Sequence, residues 1–440
     1  MPRLTRDRTT WLTYAQLGLW GFFLYGFGPV VPLLRDEQGT SAAVAGLHST
    51  GIAVGALAGG ALFAPVARRL GRGAAVWLGL AGVAVGVTAL GLLRPLPATI
   101  AAVAVVATFG MMVISGVNVL LTARHGPAAP AALTEANAVC AGMGILAPLT
   151  IGVTVGDGLG WRPVMAVEVG LIALVALTAV TFRVRRPKRA PAAAATAHPV
   201  VAPAVRSVPA AAGIVAVAGG PDGARPEAGQ PEIPDGARAT PSGDDQGVRA
   251  GSGRLPRAYW IAWVLMAVTG SIEVCLSLWT ADVLRTHAGL SAGGASAAVA
   301  AIVCGMFVGR LAGGRAALRW SPVPLLLGAF TVSLAGFTLF WASPVGWLAV
   351  AGLVVLGLGN ALHYPLATAI ALAVAGGAAD RAAGWSSYSM AVGFGIAPVA
   401  LGRVADGVGP HAAFLLLPAF IVVAVLLTGR LGRALRPEPA

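Results

Sequence analysis

The sequence predicts an all-α polytopic membrane protein with twelve transmembrane helices in two parallel six-helix pseudo-repeats. Three observations carry this. The 440 residues are 57% apolar and only 11% charged, with a mean hydropathy of +0.80, whereas soluble domains carry about 25% charged residues. Apolar runs long enough to cross a ~30 Å hydrocarbon core as helices recur from end to end. Segments of the first half also return, in order, in the second. The composition excludes a soluble enzyme, a secreted disulfide scaffold and a nucleic-acid-binding domain.

The first six runs lie near 11–34, 42–64, 74–93, 98–122, 132–156 and 162–182. The first follows Arg3, Arg6 and Arg8, as a signal peptide would. It is too long for a typical signal core and no small-residue cleavage site follows, so it is read as helix 1. The last six lie near 258–284, 291–313, 322–342, 346–374, 383–404 and 411–430. Between the two sets, residues 183–256 are rich in Ala, Pro and Gly with almost no aromatics. Such a stretch buries too little apolar surface to offset the entropy of ordering it, and it reads as a disordered linker. The expected domains are therefore 1–182, the linker 183–256, and 257–440.

The formal charge of +13 sits in loops. Arg68, Arg69 and Arg72 follow helix 2, Arg124 follows helix 4, and Arg183, Arg185, Arg186, Lys188 and Arg189 follow helix 6. Arg315 and Arg319 follow helix 8, Arg381 follows helix 10, and Arg430, Arg433 and Arg436 follow helix 12. Loops of the other parity hold single arginines (Arg35, Arg94, Arg162, Arg285, Arg403), mostly with an acid nearby. The positive-inside rule then places both termini and the linker in the cytoplasm of a cell-membrane protein. Lys188, the one lysine, follows Pro187, so the Gly-Lys-Ser/Thr of a phosphate-binding loop is absent. Cys140, Cys275 and Cys304 lie in apolar runs without CxxC spacing and read as packing residues. No cofactor and no metal are expected.

The repeats are specific. Gly51-Ile-Ala-Val-Gly55-Ala-Leu-Ala-Gly59-Gly60 in helix 2 matches Gly305-Met-Phe-Val-Gly309-Arg-Leu-Ala-Gly313-Gly314 in helix 8, 254 residues later (305 less 51). GMGILAP ending at Pro148, with Asp157 beyond it, matches GFGIAP ending at Pro398, with Asp406 beyond it. Two matches in order at nearly one shift define a repeat of six helices. An even number of helices per repeat makes the two copies parallel, as in transporters that rock two halves about a midplane site.

With these features the chain resembles the major facilitator superfamily, and the resemblance covers everything except the linker. Ala64-Pro-Val-Ala-Arg68-Arg69-Leu-Gly71-Arg72 is similar to that family's signature loop after helix 2, with Arg68 where an aspartate is usual. Trp161-Arg162 at the start of helix 6 also fits. Within the superfamily, the chain is similar to fucose-permease-type sugar porters. The similar stretches are Gly270-Ser-Ile-Glu273-Val-Cys-Leu-Ser-Leu-Trp279, Phe307-Val-Gly309-Arg310, Gly116-Val-Asn118 and Gly357-Leu-Gly359-Asn360-Ala-Leu-His363-Tyr364-Pro365. Helix 1 carries no acid over 11–34, and Ile114 stands where such permeases can have a carboxylate. The resemblance implies a secondary transporter working by alternating access, with helices 1, 4, 7 and 10 lining its cavity.

An ionisable group at mid-membrane costs about 2.5–3.5 kcal/mol on insertion scales, so such residues are read first as functional. Glu273 lies mid-span in helix 7 between apolar neighbours and is the candidate proton carrier, against the alternative of a structural carboxyl bonded to another helix. Arg310 could snorkel, pair with an acid, gate, or bind an anionic group. Arg68, Arg69 and Arg72 are gating candidates through the resembled loop. Candidate substrate contacts are Gln16 and Tyr25 in helix 1, Asn118 in helix 4, Trp279 in helix 7, and Asn360, His363 and Tyr364 in helix 10. Asn360 and His363, three apart, should share a face. His48 and the glycine ladders read as packing. Glu168 in helix 6 lies deep in a helix that the resembled fold puts on the periphery.

These readings make the chain a secondary transporter of a small organic molecule, either proton-coupled through Glu273 or facilitative, and a monomer. Drug or natural-product efflux by the same fold is the alternative. A membrane enzyme would need clustered ligands or a nucleophile–base pair, and neither HExxH nor an equivalent occurs. A permease subunit driven by a separate ATPase fits less well, because both repeats are fused and no ATPase-coupling segment is evident. The arginine distribution yields a direct test. Reporter fusions within the linker and after Arg436 should both register as cytoplasmic, and one near 157–160 as external; a linker on the outside would overturn the orientation.

Overall fold

The computed structural model describes residues 4–182, 255–317, 319–375 and 379–435. The segment read as a linker lies outside the described residues up to position 254, as does Arg436. All described regular structure is helical. Helices 1 to 6 run Arg8–Gln38, Ala42–Leu70, Arg72–Leu92, Leu96–His125, Ala129–Gly156 and Arg162–Thr181. Helices 7 to 12 span Arg257–Thr286, Ala292–Ala316, Pro322–Ala342, Gly346–Ala375, Ala379–Val408 and Pro410–Arg433. Twelve spans are long and apolar enough to cross a bilayer. The expected count and order therefore stand.

Two boundaries differ from the sequence expectation for physical reasons. The segment read as a loop after helix 2 is helical through Leu70, with Pro65 inside the helix. Arg68 and Arg69 in the last turn suit the negative end of the helix dipole, so the helix outlasts its apolar run. The turn is Gly71 alone, at φ 91°, a conformation that glycine adopts without the Cβ clash. Helix 10, read as continuous, breaks into Gly346–Asn360 and His363–Ala375. Pro365 lacks an amide hydrogen and its ring clashes with the carbonyl four residues back, at Ala361, which is where the break falls.

Because lipid tails supply no hydrophobic drive between helices, close backbone packing has to hold them together. The repeated glycines do this in matched fashion. A Cβ at Gly55 or Gly59 would strike the carbonyl oxygens of Ala104 and Thr108 in helix 4. At Gly305 or Gly309 it would strike those of Val354 and Leu358 in helix 10. The two ladders thus seat helix 2 on helix 4 and helix 8 on helix 10. Helices 1 and 7 are the most enclosed, with 89% and 67% of their apolar windows buried, against 22% for helix 6. They stand at the centre, and helix 6 at the edge.

The two six-helix units meet at the end opposite the termini. There Gly28 of helix 1 abuts the Ser277 carbonyl of helix 7. Gly46 and Gly402 bring helices 2 and 11 together, and Gly152 and Gly293 do so for helices 5 and 8. A valine at Gly305 should cost about 1–3 kcal/mol by overpacking. Gly305→Val should therefore lower the thermal unfolding midpoint in detergent, while Gly314→Val, with nothing within 4 Å of the new Cβ, should change it little.

Candidate functional site

A cavity of about 290 Å³ lies between the two units, just inside the contact of Gly28 with Ser277. That is close to the lower end of ligand pockets, roughly 300–1,000 Å³. Its walls come from helices 1, 2 and 4 of the first unit and helices 7, 8 and 11 of the second. Trp20, Phe27, Ile52, Met306 and Phe394 give it an apolar and aromatic character. Tyr25, Glu273, Ser277 and Tyr388 are the polar side chains with hydrogen-bonding oxygens on its wall.

Two glycines explain how the helix 1 aromatics fit. A Cβ at Gly144 would overlap the Tyr25 ring, and one at Gly110 would overlap the Trp20 indole. The GMGILAP motif of helix 5 therefore serves a site residue by leaving space for the Tyr25 ring. Trp20 also stacks on Phe23, and Phe23 on Phe27, with centroids 5.9 and 5.4 Å apart. This ladder fixes the wall contributed by helix 1. The Trp20 indole N–H is buried and has no hydrogen-bond partner.

Glu273 is the carboxylate on this wall among the described residues. Arg310 reaches toward it from helix 8. Side chains on a helix lean toward its N-terminus, here the closed end, so an arginine near the other end of helix 8 extends its guanidinium to mid-span. Arg310 lies within electrostatic reach of Glu273, Tyr25 and Cys140, and within hydrogen-bonding reach of the Tyr25 hydroxyl. It forms no direct ion pair with Glu273 among the described residues, and its Nε is buried without a partner. Tyr364 approaches Ser389 and Thr368 and also senses Glu273. Four expected residues, Tyr25, Glu273, Arg310 and Tyr364, are thus gathered at one level.

Other expected contacts go elsewhere. The helix 10 break sends Asn360 and His363 to different neighbours, so they do not share a face. Asn360 Nδ2 points at Met306 Sδ, 3.8 Å away, behind the cavity wall. His363 Nε2 pairs with Ser333 Oγ at 3.0 Å and its ring packs on Phe330, turned toward helix 9. Neither lines the cavity, and helices 2, 8 and 11 take the place expected for helix 10. Trp279 is buried just beyond the crossing at Ser277, in the closed layer. Gln16 is buried one turn before Trp20, and Asn118 lies one turn beyond Ile114 on the same face, both toward the open end. His48 bonds Thr99 Oγ1 at 2.9 Å, a helix-packing role. Glu168 is wholly buried in helix 6, away from the cavity, with both oxygens unpartnered.

Arg68, Arg69 and Arg72 are exposed at the open end and join no ion pair among the described residues. At that end Arg6 pairs with Glu135 and Arg124 with Asp7, both within the first unit; the ion pairs that join the two units are at the closed end. Arg35 of helix 1 bonds Asp282 of helix 7, one of its contacts being 3.0 Å, and also Asp36 at 2.9 Å. Asp36 in turn accepts from Arg285 at 2.8 Å. Asp406 of helix 11 accepts from the amides of Ala42 and Ala43, at 2.7 and 3.1 Å, at the positive end of helix 2. Thr50 donates to the Gly395 carbonyl at 2.7 Å. The sequence showed single arginines with acids nearby in these loops; which acid each would meet depends on helices 1 and 7 lying side by side. Arg162, at 2.7 Å from Glu37 and 4.8 Å from the Trp161 ring, ties helix 6 to helix 1 within the first unit.

The family model described as Major Facilitator Superfamily matches residues 16–270. The chain belongs to the major facilitator superfamily. Among solved members with a similar fold, the nucleoside transporter NupG superposes with a TM-score of 0.67 at 13% identity, covering 98% of each chain. A bacterial homologue of the human lysosomal transporter Spinster, inward-facing and occupied, gives 0.68 at 13%, covering 99% of this chain and 100% of that one. The fucose transporter FucP of E. coli, in its outward conformation, gives 0.53 at 16%, covering 96% and 98%. At these identities the likeness shows the superfamily's fold. A search of curated protein sequences gives no match.

The closed-end network should hold this conformation. Removing one partner of a buried charge pair costs roughly 2–5 kcal/mol, and Asp282 is only 2% exposed. With the three native cysteines replaced by alanine, Ser277→Cys should label slowly with an impermeant maleimide added at the closed end. Adding Asp282→Asn should speed that labelling tenfold or more; an unchanged rate would mean the pair does not hold the seal.

Proposed function

We propose that this superfamily member is a secondary active transporter of a small organic molecule, coupled to protons through Glu273. The observation that carries the reading is the position of Glu273: mid-span, on the cavity wall, facing Arg310 and Tyr25 where the two units meet. A permanent charge there is expensive, so gain and loss of a proton changes the relative cost of opening the cavity to either side. Between the units, the Arg35–Asp282 and Arg285–Asp36 pairs and the hydrogen bonds of Asp406 and Thr50 lie toward the end away from the termini. Alternating access then consists of breaking this set and forming another at the arginine-rich end, where Arg68, Arg69 and Arg72 are free to take part.

The arginine asymmetry supports cytoplasmic termini in the cell membrane, which makes the present conformation inward-facing. Efflux of an apolar compound is the second reading, favoured by the mostly apolar walls. The direction of flux under an imposed gradient separates the two.

The test uses purified protein in liposomes, labelled solutes and an imposed pH gradient. Glu273→Gln keeps the side chain's volume and hydrogen-bonding capacity but cannot ionise. It should still fold and exchange the solute that the parent accumulates, while pH-driven accumulation disappears. Accumulation by Glu273→Gln equal to the parent's would make Glu273 a structural residue.

A further inference from the structure

The polar equipment of the cavity is sparse and unusual in its balance. Glu273 and Tyr25 stand on the wall; Arg310 stands behind the lining side chains, beside the Tyr25 hydroxyl and within electrostatic reach of Glu273 without an ion pair to it. The Arg310 Nε is buried with its donor capacity unused. Around this cluster the wall is aromatic and aliphatic: Trp20, Phe27, Ile52, Met306 and Phe394. A polyhydroxylated solute would leave most of its hydroxyls against these side chains without partners, each at a penalty. A solute with one polar head and an apolar body would not.

The sign of that head follows from charge balance. A cavity within the membrane strongly favours arrangements without net charge. Empty, with Glu273 ionised, Arg310 and Glu273 sum to zero. An organic cation entering this arrangement would bring the sum to +1, because the arginine is never deprotonated. An anion arriving together with a proton on Glu273 keeps it at zero: Arg310 positive, the anion negative, Glu273 neutral. A planar carboxylate also matches the guanidinium fork, and Nε is one of its donors.

We propose that the cavity takes an amphipathic monocarboxylate, its carboxylate bound by Arg310 and Tyr25 and its apolar body against the aromatic wall of helices 1 and 11. This rests on Glu273 as the proton carrier, and gives one proton taken up per anion bound. No covalent bond changes; the proton moves from solvent to the Glu273 carboxylate. With Glu273 protonated, Arg310 no longer shares its charge with that carboxylate, so anion and proton each strengthen the other's binding.

The experiment compares matched probes on the full chain, purified in a neutral maltoside detergent. The probes are 3-phenylpropionate and hexanoate, each against the amine and the alcohol of the same skeleton. Thermal stabilisation and calorimetric titration in two buffers of different ionisation enthalpy report affinity and proton uptake. At least one carboxylate should bind at least tenfold more tightly than its amine and alcohol, with about one proton taken up and tighter binding at pH 6 than at pH 8. Arg310→Gln should weaken it by about 30-fold or more. Glu273→Gln should bind the same carboxylate with no proton uptake and equally well at both pH values. A panel in which no carboxylate outdoes its amine and alcohol overturns the proposal, as does carboxylate binding that survives Arg310→Gln unchanged. Arg310-dependent carboxylate binding without proton uptake keeps the anion and overturns Glu273 as carrier. Proton uptake lost in Glu273→Gln but accompanying only an amine or alcohol keeps the carrier and overturns the anion.

Discussion

Helix 1 crosses helix 7 where Gly28 lies against the Ser277 carbonyl, an approach that no larger residue at position 28 would permit. The crossing sets a floor for the cavity on one side and a platform for the Arg35–Asp282 pair on the other. Tyr25 and Glu273 lie about one turn away from it on their helices, within the cavity, while Trp279 and Asp282 fall beyond it. A shift of one helical turn along either helix would exchange these environments, putting the acid of the cavity into the seal. The close contact of two backbones thus decides which polar groups face the cavity and which pair helix 1 with helix 7 beyond it.

Glycine works at a second level around that crossing. In a bilayer, packing of small residues replaces the hydrophobic drive that assembles helices in water. Gly55, Gly59, Gly305 and Gly309 seat each unit's own helices, and Gly46, Gly152, Gly293 and Gly402 let the two units approach. At one end the units are joined by hydrogen bonds to a helix terminus and by salt bridges at its rim. Such an interface can separate without disturbing the ladders inside each unit. Rigid halves and a breakable junction are what a rocking mechanism needs.

Polar groups in the membrane interior divide into those with a local partner and those without. His48 and His363 have hydroxyl partners on neighbouring helices and are packing residues in chemical terms. Arg310, though beside the Tyr25 hydroxyl, keeps its Nε unpartnered and forms no ion pair with Glu273. The partly unsatisfied state of the second pair is the feature that a solute could exploit, since a site fully paired in its empty form would have to break bonds to accept one.

The sequence by itself determined the twelve helices, the parallel repeat and the ionisable residues of the interior. Those properties are local: apolar run length, periodic glycines and a charge set among apolar neighbours can be read without knowing what packs on what. Glu273, Tyr25 and Arg310 were legible for that reason. The sequence also showed Arg35, Arg285 and Asp406, but not their partners. Only the tertiary structure decided that Arg35 meets Asp282, 247 residues away, because that depends on how two helices cross. It also decided that His363 turns toward helix 9 and Asn360 toward helix 8. Spacing of three implies a shared face only along an unbroken helix, and Pro365 ends that condition. The cavity itself is a property of the gap between units, and no single segment of the chain encodes a gap.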